Sequence, residues 1–359
     1  PCICFYHQKG KGTFSMKKQD ISPSAITAGY LKRQRRYILT TGILLLLTLS
    51  LAAVMMLYGN TIYSPETVLR VLSGTDAGGA AFTIRTLRFP RMLTAILCGM
   101  AFGLSGNTFQ QLLGNPLASP DIIGVTSGAS VAAVFGILIL KLDYGIVAVM
   151  AVFSGLLVSA LIYFLSHKNG FSNTRLILTG IGMQAFLNSI ISWMLLKASE
   201  YDVASALRWL SGSLNGVKMD TVPALAAVVF TAGLGILLLS RHLLILQLGE
   251  AHAVTLGIPV SITRLLLILL ALVLTAFAAS VTGPIASVAF LSGPIAARIS
   301  GRGRSSMLAA SLTGSILILI SDLVGQFTLP SRYPVGVITG ILGAPYLLFL
   351  LLRINHKGD

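Results

Sequence analysis

Acidic residues are scarce in this chain: 11 Asp and Glu stand against 26 Lys and Arg, and the four charged types together make up 10% of 359 residues. A soluble globular domain carries about 25% charged residues, so this set is too sparse to coat a water-facing surface. Hydrophobic types fill 55% of the positions, and the chain reads as a polytopic membrane protein. The net charge of +15 does not call for nucleic acid, because basic residues gathered beside apolar runs follow the positive-inside rule. Cysteine is nearly absent. Cys98 lies inside an apolar run and Cys2-x-Cys4 has no matching His or Cys partners, which leaves neither a disulfide framework nor a zinc site. The five histidines, at 7, 167, 242, 252 and 356, all fall in segments read as cytoplasmic. With no H-E-x-x-H and no Ser/His pairing within a span, an intramembrane enzyme lacks its parts. There is also no G-x-x-x-x-G-K-[ST], so the chain is not its own P-loop ATPase.

What is present is a series of long apolar runs. Hydropathy places spans near 38–58, 91–113, 122–140, 146–166, 176–196, 223–240, 261–280, 284–298, 307–325 and 335–352, each close to the ~20 residues that a bilayer core requires. The run at 284–298 is the weakest, being short and carrying Pro284 and Pro294. The expected fold is all-α, with ten transmembrane helices. Of the 26 Lys and Arg, 17 fall in segments that are cytoplasmic when the N-terminus is inside and 9 in external ones, which favours an N-in/C-in topology. The layout is then a basic cytoplasmic tail over 1–37, one transmembrane domain over 38–353 and a short cytoplasmic tail over 354–359. Residues 1–15 fit nothing that follows and read as an extension before Met16. The first apolar run has the length of a true span and no small-residue cleavage pattern, so no signal peptide is expected.

Two spans are unusually polar. Residues 91–113 carry Asn107, Gln110 and Gln111 beside Gly99, Gly103 and Gly106. Amides facing lipid are costly, and glycines on one side let another backbone approach. That face is either packing or the wall of a translocation path. Residues 176–196 place Gly180, Gln184 and Asn188 four apart, on one helix face, with the same two readings. After the first of these spans, Ser119-Pro120-Asp121 reads as an N-cap, a first-turn proline and an acid against the dipole.

Outside the spans, Ser64-Pro65-Glu66 opens a short surface helix over 65–73. Arg85, Arg88 and Arg91 follow on the outer side, as interface anchors or as a patch for an acidic partner. The cytoplasmic segment 241–264 is long for a turn, and a short helix is expected from Glu250 to Leu256, stopped by Gly257 and Pro259. His252 has no second ligand near it and reads as a solvated loop residue. Asp322 is the one acid expected inside a span, where it is a functional candidate by default or a partner of Arg332. Gly336, Gly340 and Gly343 repeat the spacing of Gly99, Gly103 and Gly106, which would suit an internal repeat.

The stretch RFPR followed by GNPLASPDIIGVTSGAS, at 88–91 and 114–130, resembles the signature of the membrane-spanning permease subunits of type II ABC importers for ferric siderophores, haem and vitamin B12. The order RLILTGIG, LLKAS, WLSGSLNG over 175–216 is most similar to the ferric enterobactin (catecholate) branch. The resemblance implies the type II importer permease fold in a bacterial cytoplasmic membrane. It also implies two ATPase subunits that handle ATP and Mg, a second permease subunit in a heterodimer or homodimer, and an extracytoplasmic binding protein that delivers the ferric siderophore. No cofactor bound by this chain is implied. LGE-x-x-A-x-x-LG-x-P, at 248–259, resembles the family's coupling helix over about 243–260, which assigns ATPase coupling to Leu248, Gly249, Glu250, Ala253, Leu256 and Gly257. RFPR resembles the arginine pair that receives acidic residues of the binding protein, here Arg88 and Arg91, with Arg332 a further candidate. The path-lining role falls on Gln184 and Asn188, beside Asn107 and Gln110. The family's stretch of GPI-x-F followed by a Pro-His pair is broken by Ser287 in place of Phe and by Ile295 after Pro294, so no role passes to that histidine. The alternatives are the same family carrying another iron chelate, haem or vitamin B12, or a secondary transporter driven by an ion gradient.

Overall fold

The computed structural model describes residues 23–74, 78–166, 172–285, 287–301 and 306–355, and among them every regular element is helical. Cys2, Cys4, His7, His167, His356 and the segment 1–15 lie outside the described residues. The order is α1 (Pro23–Leu57), α2 (Pro65–Leu72), α3 (Gly79–Ala81), α4 (Phe89–Leu113), α5 (Val125–Leu138), α6 (Tyr144–Ser166), α7 (Asn173–Lys197), α8 (Glu200–Leu210), α9 (Val222–Leu246), α10 (Glu250–Thr255), α11 (Val260–Thr282), α12 (Val288–Ser300), α13 (Met307–Phe327) and α14 (Val335–Asn355). Among the described residues seven helices are long and apolar enough to cross a membrane, while α5, α12 and the apolar part of α14 are shorter. Each of the ten apolar runs therefore coincides with a helix. At 35 residues, α1 is about 52 Å long at 1.5 Å per residue, well beyond a hydrocarbon core of ~30 Å.

The centre of the bundle is α4. In its apolar window 78% of residues lie inside the protein, against 22% for α1 and for α7, and α13, α12, α11 and α9 pack around it. Its glycines make this possible. A Cβ on Gly99 or Gly103 would run into the backbone of α13 at Gly314–Ser315 and Ala310, and one on Gly106 into Ala289 of α12. Close backbone approach through small residues replaces the hydrophobic drive that lipid does not supply. The matching spacing in α14 does not pack alike: Gly336 meets the Ser211 carbonyl, Gly343 meets Ser287, and Gly340 faces open space.

Three local details differ from the sequence reading. The helix expected over 122–140 starts as a 3-10 turn, Pro120–Ile123; Gly124 then takes φ 71° and α5 begins at Val125. Ser119 sits in the N-cap conformation, but its hydroxyl donates to Asp121 Oδ2 (3.4 Å), which also leaves Asp121 Oδ1 to accept from Thr126 Oγ1 (2.8 Å). Burial pushes the Asp121 carboxyl up, and these two hydrogen bonds pull against it. The span expected from 91 is preceded by a π-helical stretch, Phe82–Arg88, just ahead of Pro90. Proline has no N–H and crowds the carbonyl four residues back, and the wider π winding relieves that conflict. Finally, α8 was not anticipated, although Ser199-x-x-Asp202 is a capping-box pattern: Ser199 Oγ accepts from the Asp202 N–H (3.4 Å) and lies 2.8 Å from its carboxylate.

Candidate functional site

Functional candidates gather at the two ends of the bundle and on one side. At the first end, the predicted surface helix α2 is present, with the Ser64 hydroxyl accepting from the Thr67 N–H (3.2 Å). The three arginines singled out for docking are all engaged. Arg88 donates to the carbonyls of Met56 (2.8 Å), Leu57 (3.1 Å) and Thr61 (2.6 Å) and stacks on Tyr63. It thereby caps the C-terminus of α1, where a cation complements the helix dipole. Arg91 grips Asp322 through Nε (2.8 Å) and Nη2 (2.6 Å), and its Nη1 donates to Asn215 Oδ1 (2.5 Å). Arg332 donates to Asn60 Oδ1 (3.1 Å) and is exposed. The partner of Asp322 is thus Arg91, not Arg332: α13 packs against α4 along its length, which brings Asp322 opposite Arg91.

At the other end, α10 forms as expected between Gly249 (φ 105°) and the turn at Gly257 (φ 78°). Ala253 is fully buried and is the pivot of this loop: its N–H donates to Gly249 O (3.0 Å) and its carbonyl accepts from the Ile258 N–H (3.0 Å). Glu250 forms an ion pair with Arg264 at the start of α11. Outward stand Leu248, Val254 and Leu256, each more than 60% exposed, an apolar triad on and beside a short helix. Val254 escaped the sequence reading because the resemblance marks LGE, Ala253 and LG but leaves it unspecified. His252 is exposed, and among the described residues no group of three or more His, Cys, Asp or Glu could hold a metal ion.

Asn107 and Gln110 are buried. Gln110 donates to Phe290 O (2.9 Å), and Asn107 meets Met307 Sδ (3.1 Å) and the Ser306 hydroxyl (3.4 Å). Both also line a cleft of about 430 Å³ between α4, α9 and α12. At its rim Gln247 Nε2 donates to Gln111 Oε1 (3.0 Å), so the residue that ends α9, just before α10, is tied to the end of α4. The face of α7 differs. Gly180 is buried against the Ile122 carbonyl, Gln184 is half-buried, and Asn188, Ser189 and Ser192 are exposed. The two hydroxyls turn back to carbonyls of their own helix, those of Ala185 (2.9 Å) and Asn188 (3.0 Å). The Asn188 amide opens instead onto a cleft of about 290 Å³ that it shares with Thr126, Ser127, Ser130 and Ser192. The hydroxyls of α5 lay in the signature stretch GVTSGAS, yet sequence alone could not pair them with α7.

A polar face on a long apolar helix, a buried glycine-packed hub and a structured loop at one end describe the membrane subunit of a transporter. The profile of the FecCD transport family matches residues 43–353, and the chain belongs to that family. It is a multi-pass permease subunit of the inner membrane and not an enzyme. It is 37% identical over 291 residues to the ferric enterobactin transport system permease protein FepG of Escherichia coli (strain K12), covering 81% of this chain and 88% of the relative. It is 35% identical over 316 residues to the achromobactin transport system permease protein CbrC of Dickeya dadantii (strain 3937), covering 87% and 90%. Among solved structures, an inward-facing ABC transporter of the metal-chelate type superposes with a TM-score of 0.79 at 25% identity, covering 88% of this chain and all of that one.

Proposed function

We propose that this chain is the permease subunit of an ATP-driven importer that carries a ferric siderophore, a catecholate such as ferric enterobactin, inward by alternating access. The observation that carries the reading is the exposed polar face of α7, at Asn188 and Ser192, on a helix otherwise apolar enough to span a bilayer. Such a face is costly against lipid. It suits a water-filled path walled on the far side by a second permease, a similar chain or a second copy. In this reading the ten helical runs cross the membrane with both termini inside, the Arg91 end faces out and α10 faces in. The exposed triad Leu248, Val254 and Leu256 sits in a cleft of the ATPase subunit, which alone holds ATP and Mg, while Glu250 and Ala253 fix the helix that carries it. No cofactor is assigned to this chain. The likeness to FepG favours a catecholate, and the comparable likeness to an achromobactin permease keeps other iron chelates as the alternative. An ion-gradient carrier is disfavoured because Asp322, the acid it would use, is held by Arg91.

Uptake of radiolabelled iron, presented as ferric enterobactin, as a hydroxamate complex and beside labelled vitamin B12, tests this in cells with and without the chain. Loss to background confined to the catecholate is expected, and unchanged catecholate uptake refutes the substrate. On the outer surface, Arg332→Glu should slow association of the binding protein and weaken its salt dependence, as rim charges act mainly on association rate. Unchanged association kinetics would remove Arg332 from the docking surface.

A further inference from the structure

The loop Ser211–Asn215, which follows α8, is the meeting point of the Arg91 end. Its Ser213 N–H donates to Thr282 O at the end of α11 (2.6 Å), and its Gly212 carbonyl accepts from the Gly336 N–H at the start of α14 (3.0 Å). The approach is tight enough that a Cβ on Gly212, Gly283 or Gly336 would strike the carbonyls of Pro284, Trp209 and Ser211 in turn. Ser213 and Leu214 are buried. One charged group joins this knot: Arg91, which holds Asn215 with Nη1 and Asp322 with its other two nitrogens. Asp322 is 1% exposed and also accepts from Gln326 Nε2 (2.5 Å), whereas the Arg91 side chain is 17% exposed. Arg91 is therefore the member of the pair that an outside carboxylate can reach, and Asp322 is the buried one, whose carboxylate gives up its partner if Arg91 turns away.

We propose that Arg91 is a latch and not a standing docking charge: it holds the Ser211–Asn215 loop across the ends of α4, α11, α13 and α14, and an acidic side chain of the binding protein opens it by displacing Asp322 as the guanidinium's partner. This rests on the docking reading above. Asp322 fills the guanidinium's Nε/Nη2 edge and Asn215 caps Nη1, so no bidentate edge stands open to an incoming carboxylate and the two acids compete for the one that Asp322 holds. Once displaced, Asp322 needs water or a new donor, and both require the helix ends to part. Docking and opening are thereby one event.

The test uses the full chain assembled with its partners in proteoliposomes, with Cys2 and Cys4 replaced by Ser and Ser213→Cys as a probe for a membrane-impermeant maleimide. Asp322→Asn should raise the labelling rate about tenfold and tighten binding-protein affinity by about tenfold, because Arg91 is released to the outside acid. Asn215→Ala, which keeps the ion pair and removes only the loop contact, should raise labelling and leave affinity unchanged. It also covers the case in which Asp322→Asn does not fold. A merely structural ion pair would lower thermal stability without moving either readout. Labelling unchanged in both variants overturns the latch; faster labelling with unchanged affinity in Asp322→Asn overturns the exchange. Arg91→Gln separates this from the docking reading: unchanged affinity there means that no acid docks at Arg91 at all, whereas weakened affinity with an unmoved loop leaves docking standing and the latch refuted.

Discussion

Ala253→Pro should abolish uptake while the subunit still inserts and assembles. Proline at this position removes the N–H that donates to Gly249 O and drives its ring toward that carbonyl, so α10 unwinds in the middle. Ala253 is fully buried, which means that its replacement also pushes the helix off α9 and α11. The exposed apolar triad Leu248, Val254 and Leu256 then has no fixed geometry to present. Glu250→Lys acts on the same element by another route: it replaces an ion pair with Arg264 by two facing cations. Transport in both variants is expected to fall to background, with ATP hydrolysis by the assembled complex persisting but no longer stimulated by the loaded binding protein. Normal uptake in either would refute the assignment of α10 as the coupling element.

Gly103→Leu should leave no folded subunit. Its Cβ would land inside the contact distance of the Ala310 carbonyl on α13, and the obstacle is backbone, which cannot swing aside as a side chain does. Overpacking typically costs about 1–3 kcal/mol and occasionally more, and a whole Leu side chain set against backbone lies at the upper end, a large share of the about 5–15 kcal/mol that typically separates folded from unfolded chains. The control is Gly182→Leu on the outer face of α7, where a Cβ meets nothing within 4 Å. That variant should fold and melt like the parent in detergent, yet lose transport if the face borders a path or a second permease. The check is the thermal melting temperature of each purified variant beside its uptake rate. A stable Gly103→Leu would show that α4 and α13 are free to separate, and that the hub is not a hub.

Much of the architecture was legible because membrane helices announce themselves by length: all ten apolar runs are helical, and Gly99, Gly103 and Gly106 were readable as places of close approach. The boundaries were less legible. Nothing in the hydropathy of Ile122–Gly124 separates a 3-10 turn and a left-handed glycine from the helix that follows, and the capping box at Ser199 was overshadowed by the polar span before it. At the candidate site, sequence named the residues but not their pairings. For Asp322 sequence offered Arg332, ten residues away along the chain, as one candidate partner, whereas packing delivers Arg91, 231 residues away. Long-range contacts are set by which helix lies beside which, and a run of apolar residues does not record its neighbours. The same reason hid the hydroxyls of Thr126, Ser127 and Ser130 that share a cleft with Asn188.

The open side of α7 has a consequence for the life of the protein in the cell. With Asn188 and Ser192 exposed along a cleft at the edge of the bundle, the folded subunit meets lipid there only at a standing penalty, which in the proposed assembly a companion subunit removes. Copies made in excess of that companion are marked as surplus by their own surface, since membrane quality control reads polar groups stranded in hydrocarbon. In the proposed assembly the abundance of this chain then follows that of its partner, because an orphan copy carries a surface that degradation can recognise.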